Sequence, residues 1–295
     1  MGFDNIFCII KLSELDYHEV LGGGSERILK LDQAKRKELT ESHLNQQAFV
    51  QELKEQSTSL GLDIQFVPQL EIKTIAPGPR DLVITAGGDG TFLNAAQHFG
   101  SCCMLGMNND YKPTSGVGSY GALTCVNRDT LKKRLKDLSR GRYQIVKWSR
   151  LQVKINGKLV ERLAINDIYF GQRISYRTCD LIIEQSGQTE QFNCSGLLLC
   201  TGMGSHAWHY NAGGSPFSNE LEAFGFRVLI PNLKRPLHFT SGILQDGQEV
   251  IVTPERDGYI LSFDSSTDEI ATEMGDDIRI SIAPEGAIRV LSFET

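Results

Sequence analysis

The sequence lacks three features that would place it in a specialised class of protein. It has no apolar run near the roughly 18 residues of a membrane span, and its only basic clusters are short, at 35–37 and 132–136. Its 7 cysteines include no CxxC pair, which argues against a zinc knuckle or a disulfide framework. With a net charge of -6, the chain is expected to bind neither nucleic acid nor membrane.

An export signal is also missing from the opening segment, which has no basic region ahead of a long apolar stretch. We therefore expect a cytoplasmic protein, or one of the mitochondrial matrix if a transit peptide has been removed. Five cysteines stand in apolar runs, where a free thiol behaves as a small core residue. They are Cys8, Cys102, Cys103, Cys125 and Cys200.

The length of 295 residues predicts two domains, because single cores rarely grow beyond roughly 250 residues. Strands alternate with helices over residues 1–125, including one or two helices within 26–59, and this pattern predicts a doubly wound α/β domain. A further helix, capped by Asn127 or Asp129, precedes a series of short apolar runs bounded by turns. Residues 126–295 are therefore expected to form a strand-rich domain, whose last strand is a candidate to return to the first.

The segment DLVITAGGDGTFLNAAQHFG carries the clearest chemistry. A strand runs into a turn containing Gly87, Gly88 and Gly90 and then into a helix, which is an arrangement that favours phosphate. The spacing fits neither a P-loop nor the dinucleotide-binding GxGxxG. Asp89 would repel phosphate unless it binds a metal or accepts a proton from an attacking hydroxyl, so the loop indicates phosphoryl transfer. The alternative is that Asp89 only caps the helix.

Two later segments narrow the chemistry. Asn166 and Asp167 lie in an apolar strand and suit a ribose diol, although a strand-end turn is an alternative. In TGMGSHAWHYN the glycines allow close approach of the backbone, and Trp208 or Tyr210 suits stacking on a base ring. The alternative is an aromatic packed in the core. His206 and His209 have no acidic partner nearby in the sequence, so we expect no metal site there.

Together these segments resemble the NAD kinase family, in the same order along most of the chain. The resemblance implies an α/β N-terminal doubly wound domain plus a β-rich C-terminal domain, as in NAD kinases and diacylglycerol kinases. It implies ATP with Mg²⁺, NAD or NADH as the acceptor at the adenosine 2′-hydroxyl, and a homodimer or homotetramer. Asp89 would be catalytic. The nucleotide-binding residues would be Gly87, Gly88, Gly90, Thr91, Asn166, Asp167, Ser195, Gly204, Ser205, His206, Ala207, Trp208, Asn211 and Asp264.

Several positions depart from the family pattern. Asp167 replaces the usual Glu, Ser195 replaces an acid, and Met203 and His206 replace a pair of threonines. The loop at 108–121 is also unlike the family's short Asn-Gly turn. These departures resemble a divergent branch that includes animal mitochondrial NAD kinases, and they leave three functions open: an NAD or NADH kinase, a kinase of the same superfamily acting on a lipid or sugar, and a non-catalytic NAD(P)-binding sensor.

Overall fold

The computed structural model describes residues 2–20, 28–109, 121–174 and 176–293. Most of the unusual loop at 108–121 lies outside these residues. The chain folds into two compact units, one formed by residues 1–146 with 289–295 and the other by residues 147–288.

The first unit is an α/β structure. Its elements are β1 (Ile6–Ile10), α1 (Glu14–Val20), α2 (Gln33–Ser59), β2 (Ile64–Pro68), β3 (Leu82–Ala86), α3 (Asp89–His98), β4 (Cys103–Asn108), β5 (Val126–Asn127), α4 (Leu131–Ser139), β6 (Gln144–Trp148) and, near the end of the chain, β19 (Ile288–Ser292). A short 3-10 helix at Gln69–Thr74 follows β2.

Seven strands of this unit form one sheet with the order β2-β1-β3-β4-β19-β6, and β5 pairs with β4. Strands β1, β2, β3, β4 and β19 pair in parallel. The register aligns Ile10 of β1 with Ala86 of β3, and Ala86 with Met107 of β4. The segments that follow these three strands therefore begin at the same edge of the sheet.

The boundary between the units lies after Val146, whereas the change in predicted secondary structure suggested residue 125. Helix α4 explains the difference. Its buried residues Leu131, Leu135 and Leu138 belong to the core of the first sheet. The cap also differs from the sequence prediction. Thr130 is the N-cap residue, and the side chain of Asn127 instead accepts a hydrogen bond from the Thr130 amide at 3.0 Å, which closes the turn before the helix.

The second unit is rich in strands. Its elements are β7 (Leu151–Ile155), β8 (Lys158–Leu159), β9 (Asp167–Gly171), β10 (Cys179–Gln185), β11 (Gln188–Cys194), β12 (Gly196–Thr201), α5 (Trp208–Asn211), β13 (Ala223–Leu229), β14 (Ser241–Gln245), β15 (Val250–Pro254), β16 (Tyr259–Phe263), β17 (Ile270–Thr272) and β18 (Ile278–Ile282). These elements, with those of the first unit, confirm the predicted fold class.

Two six-stranded antiparallel sheets make up this unit, ordered β11-β10-β15-β18-β7-β8 and β14-β13-β12-β9-β16-β17. Residues of both sheets share one apolar core, to which β9 contributes Ile168 and Phe170. Because successive side chains of a strand point to opposite faces, Asp167 and Tyr169 lie on the other face of the second sheet. That face carries the candidate site of this unit.

Burial of the cysteines follows the prediction at four of the five positions. Cys8, Cys102, Cys103 and Cys200 are buried, whereas Cys125 is exposed. The neighbouring Val126 takes the core position, and the Cys125 thiol instead bonds to the Leu291 carbonyl at 3.6 Å. Within the described ranges, no helix is both long and apolar enough to cross a membrane.

Candidate functional site

The glycine-rich loop connects β3 to α3 at the edge where the parallel strands end. Gly88 is the N-cap residue of α3 and Asp89 is its first residue. The Thr91 amide donates to the Gly88 carbonyl at 3.0 Å, which closes the first turn, while Gly90 is exposed. The free amides of a helix N-terminus attract anions, so the local structure fits the predicted phosphate loop.

Two of the loop glycines differ in what surrounds them. A Cβ on Gly87 would lie 2.8 Å from the Cβ of Lys11 and would also collide with Thr91. At Gly90 a Cβ would meet nothing within 4 Å. Packing therefore requires glycine at Gly87, whereas the open space beside Gly90 is available to a ligand.

The Asp89 carboxylate is fixed by backbone amides from a different part of the first unit. It accepts hydrogen bonds from the Leu123 amide at 2.9 Å and the Ala122 amide at 3.2 Å. Because both bonds come from backbone amides, they orient the carboxylate. The side chain is half-buried. Because both bonds come from residues outside α3, Asp89 does more than cap the helix.

Lys11 is a residue of this edge that the sequence reasoning missed. It follows β1, its amide donates to the Ala86 carbonyl at 3.0 Å, and its carbonyl accepts a bond from the buried Gln46 side chain. Its exposed side chain brings a cation beside the glycine loop. No local motif marks Lys11, because only the pairing of β1 with β3 brings it to Gly87.

In the second unit, Asn166 and Asp167 stand where β9 begins. The Asn166 Oδ1 atom is buried and has no hydrogen-bond partner. Asp167 is only 5% exposed, and no described residue donates a hydrogen bond to its carboxyl. Burial, with the nearby Asp264 charge as a second cause, raises the pKa of Asp167 to about 7. The two side chains are therefore polar groups with unused bonding capacity, as a ligand site requires.

Asp264, by contrast, directs its carboxylate at the backbone of the segment that carries this pair. It accepts hydrogen bonds from the amides of Ile165 at 3.0 Å, Asn166 at 2.7 Å and Asp167 at 3.2 Å. The Asp264 amide donates in turn to the Asp167 carbonyl at 2.9 Å. The sequence analysis placed Asp264 among the nucleotide-binding residues, and in the structure its carboxylate accepts these three backbone hydrogen bonds.

The glycine-rich signature packs directly against the Asn166 backbone. The Thr201 hydroxyl bonds to the Ile165 carbonyl, and a Cβ on Gly204 would lie 2.6 Å from the Asn166 Cα. Ser205 is fully buried, and its hydroxyl bonds to the carbonyls of Gly202 and Phe217 at 2.8 and 3.1 Å. Gly204 and Ser205 thus shape the site from within the fold.

A cavity of ≈ 870 Å³ opens on the same face of this sheet. Trp208 stacks on Tyr169 in its wall, with ring centroids 5.4 Å apart and planes inclined by 25°. Trp208 is 41% exposed, which rules out the core-packing alternative. The lining also includes Ser195 and Asn211 among the predicted residues and Arg227 among those that the sequence did not reveal.

The remaining signature residues take different environments. His206 is exposed and Ala207 half-buried, while His209 is buried. Desolvation, followed by the charge of Arg227, lowers the pKa of His209. In the described part of the chain, no group of three or more His, Cys, Asp or Glu side chains is arranged to hold a metal ion.

The structure thus assembles the predicted residues into separate groups. Gly87, Gly88, Asp89, Gly90 and Thr91 share one loop of the first unit. In the second unit, one group lies around the start of β9 and another lines the cavity. A polar pair next to an aromatic-walled cavity suits a ligand with both hydroxyl groups and a flat ring.

Comparison with known proteins gives relatives in sequence and in fold, although no family model matches the chain. An NAD kinase of Rhodococcus jostii is 30% identical over 175 residues, which cover 56% of this chain and 52% of that protein. A probable NADH kinase of Oryza sativa subsp. japonica is 29% identical over 226 residues, or 68% of each chain. The match spans about half the length of the Rhodococcus relatives.

The fold is shared with a solved structure of low sequence identity. The crystal structure of an NAD kinase from Archaeoglobus fulgidus in complex with ATP has a TM-score of 0.66 and 18% identity, covering 98% of this chain and 93% of that chain. A fold common to nearly the whole of both chains includes the α/β part as well as the strand-rich part.

Proposed function

From its likeness to NAD and NADH kinases, we propose that the chain phosphorylates NAD or NADH at the adenosine 2′-hydroxyl with ATP as the donor. One observation carries the proposal. The Asp89 carboxylate is fixed by two amides at the first residue of the helix that follows the glycine loop. An acid held beside a phosphate loop suits a reaction in which a hydroxyl loses its proton next to a phosphate.

In the proposed reaction Asp89 accepts the proton of the adenosine 2′-hydroxyl as the hydroxyl oxygen bonds to the γ-phosphorus of ATP. The bond from that phosphorus to the oxygen shared with the β-phosphate breaks, and ADP leaves. The loop amides and the N-terminus of α3 offset the phosphate charge, and Lys11 adds a cation. Mg²⁺ would enter with ATP, bound mainly by phosphate oxygens and water.

Recognition of the dinucleotide is assigned to the second unit. The carboxyl of Asp167 and the unpartnered Oδ1 of Asn166 match the hydroxyls of a ribose diol. The exposed face of Trp208, already stacked on Tyr169, suits a nicotinamide or adenine ring. Ser195 and Asn211 line the same cavity and offer polar contacts.

A parallel assay of acceptors tests this proposal against its alternatives. Purified protein is incubated with ATP-Mg²⁺ and NAD, NADH, a sugar or a diacylglycerol, and the products are identified by mass spectrometry. We expect ADP and a phosphate ester on the adenosine ribose of NAD or NADH. Phosphorylation of the lipid or sugar alone would contradict the proposal that NAD or NADH is the acceptor. Tight NAD(P) binding without any product would identify a sensor.

Two further expectations accompany the proposal. The family resemblance implies a homodimer or homotetramer, which light scattering on purified protein measures directly. A cytoplasmic or mitochondrial location is checked by imaging of the tagged protein in its own cell.

A further inference from the structure

The bend after β16 holds two consecutive residues in an unusual backbone conformation. Asp264 has φ 51° and Ser265 has φ 57°, in the left-handed region that is unfavourable for a non-glycine residue. Asp is among the side chains that tolerate this region best. Such strain persists only where surrounding interactions hold it, and here the Asp264 carboxylate supplies those interactions.

The carboxylate acts as a clamp on three consecutive amides, those of Ile165, Asn166 and Asp167. Its Oδ1 accepts two of the bonds and its Oδ2 accepts the third. Asp264 is 8% exposed, so water competes little for these charge-assisted bonds. The clamp joins the end of β16 to the start of β9.

The backbone amides of this segment have hydrogen-bond partners, whereas two of its side chains have polar atoms without one. The Asn166 Oδ1 atom is buried without a partner, and no described residue donates to the Asp167 carboxyl. Leaving a buried polar group unpaired is unfavourable, because the group loses its hydrogen bonds to water and gains none in return. A segment whose backbone is fixed while its side chains remain unpaired is preorganised for a ligand.

We propose that Asp264 is a positioning residue, which holds the Asn166–Asp167 backbone so that both side chains present their free oxygens to the ribose hydroxyls of the dinucleotide. This inference rests on the proposed function for the identity of the ligand. It assigns Asp264 no direct contact with the reacting atoms.

Asp264 also influences the charge state of Asp167. Burial first, and the Asp264 charge second, raise the pKa of Asp167. The other titratable group facing Asp167 is Cys200, its register partner on β12, and desolvation raises the pKa of that thiol as well. Loss of the Asp264 charge should therefore lower the pKa of Asp167 and move the pH dependence of dinucleotide binding to lower pH.

The test uses two variants of the full-length protein, Asp264→Asn and Asp264→Gly. Asn tolerates positive φ and keeps one acceptor oxygen, whereas Gly fits this backbone without strain and removes the clamp. Dissociation constants for NAD and NADH are measured by calorimetry between about pH 5 and pH 9, together with kcat and both KM values.

We expect roughly tenfold weaker dinucleotide binding in Asp264→Asn and roughly a hundredfold in Asp264→Gly, as for displaced recognition groups. The KM for ATP should be unchanged, and the pH midpoint should move to lower pH in both variants. Asp268→Asn is the matched control, because Asp268 is an exposed acid of the same bend that pairs with Arg162 at 3.2 Å. It should match the wild type.

Unchanged dinucleotide affinity and pH midpoint in both Asp264 variants would overturn the proposal. So would an equal loss of ATP binding, dinucleotide binding and thermal stability, which would mark Asp264 as a residue of the fold alone. Wild-type protein that binds neither NAD nor NADH would contradict the proposed function instead. Faster hydrogen exchange of the amides at 165–167 in Asp264→Gly, the expected result, tests the clamp without a nucleotide.

Discussion

Two aspartates, one in each unit, are held in opposite ways. Asp89 receives hydrogen bonds from the amides of Ala122 and Leu123, which orient its carboxylate. Asp167 receives none from the described residues, is nearly fully buried and faces the Asp264 charge. The first arrangement suits a base that must point in one direction, and the second suits a group whose bonds are completed by a ligand.

Asp167 should make the stability of the protein depend on pH. Its pKa in the folded protein, about 7, lies above its ordinary value of 3.8, so between these values the folded state binds more protons than the unfolded state. The contribution of the protonated Asp167 carboxyl to the free energy of unfolding is therefore present in full below the ordinary pKa. It is lost as pH rises through about 7. Asp167→Asn has no carboxyl to ionise. The stability of the variant relative to the wild type should therefore rise as pH increases between the two pKa values.

Urea unfolding at about pH 5 and about pH 8 measures this effect, expected to be of the order of 1–4 kcal/mol. Asp246→Asn, at an exposed aspartate of the same unit, is the control and should show no such change. The same difference between Asp167→Asn and wild type at both pH values would contradict the pKa assignment.

Sequence reasoning located single residues where their chemistry conflicted with their surroundings. Asp89 inside a glycine loop and Asn166–Asp167 inside an apolar strand were visible for that reason. The role of Asp264 was not, because its hydrogen bonds join residues 97 to 99 positions apart in the chain. An aspartate at the end of a strand gives no sign of which distant amides it will meet.

At the scale of elements, the turn from β3 into α3 combines packing and ligand access within four residues. Gly87 is enclosed by Lys11 and Thr91, while the space beside Gly90 is open. In the sequence alone, Gly87 and Gly90 look equivalent. Only the structure separates the one required by the fold from the one available to a phosphate.

Alanine at these two glycines should therefore have different effects. Gly87→Ala forces Lys11 or Thr91 to move and should lower stability by about 1–3 kcal/mol, as overpacking does. Gly90→Ala lies within α3 and should leave stability unchanged or raise it by up to about 1 kcal/mol, yet its methyl group should raise the KM for ATP. Thermal unfolding and steady-state kinetics measure both; similar stability losses in the two variants would refute the distinction.

The helices show which element boundaries sequence could supply. Helix α2 was expected within 26–59 and forms over Gln33–Ser59, where Leu39, Phe49 and Leu53 are buried. The start of α4 was less predictable, because Asn127, Asp129 and Thr130 are all residues that favour helix caps. The choice among them depends on a local turn that composition does not specify.

At the scale of the whole molecule, the chain leaves the first unit after Val146 and re-enters it at Arg289, within β19. Residues Arg289 and Val290 pair in parallel with Cys103 and Met104 of β4. Leu291 is 1% exposed and joins the core of the first unit. The first unit is therefore completed only by the end of the described chain.

Leu291→Ala should destabilise the first unit selectively. Truncation of a fully buried Leu costs about 2–5 kcal/mol, and the core of the second unit contains no residue of β19. Hydrogen exchange followed by mass spectrometry should show faster exchange in β1, β3 and β4 than in the wild type, with little change in β9, β10 and β12. Equal acceleration in both units would contradict separate cores.

The two-part architecture was visible in the sequence because the pattern of predicted elements changes from alternating helices and strands to strands alone. The position of the boundary was not, since α4 resembles a linker helix and only its contacts assign it to the first core. A pairing such as β4 with β19 joins Cys103 to Arg289, residues far apart in the chain, and leaves no periodic signal.

The central claim, that Asp89 accepts the proton of a dinucleotide hydroxyl, is tested most directly by single-turnover phosphorylation of NAD and NADH in Asp89→Asn. Asn keeps one oxygen for the Ala122 or Leu123 amide but is no longer a base. The account predicts a fall in the rate of phosphoryl transfer of roughly a hundredfold or more, with dinucleotide and ATP affinities near those of the wild type. A rate close to that of the wild type would contradict it.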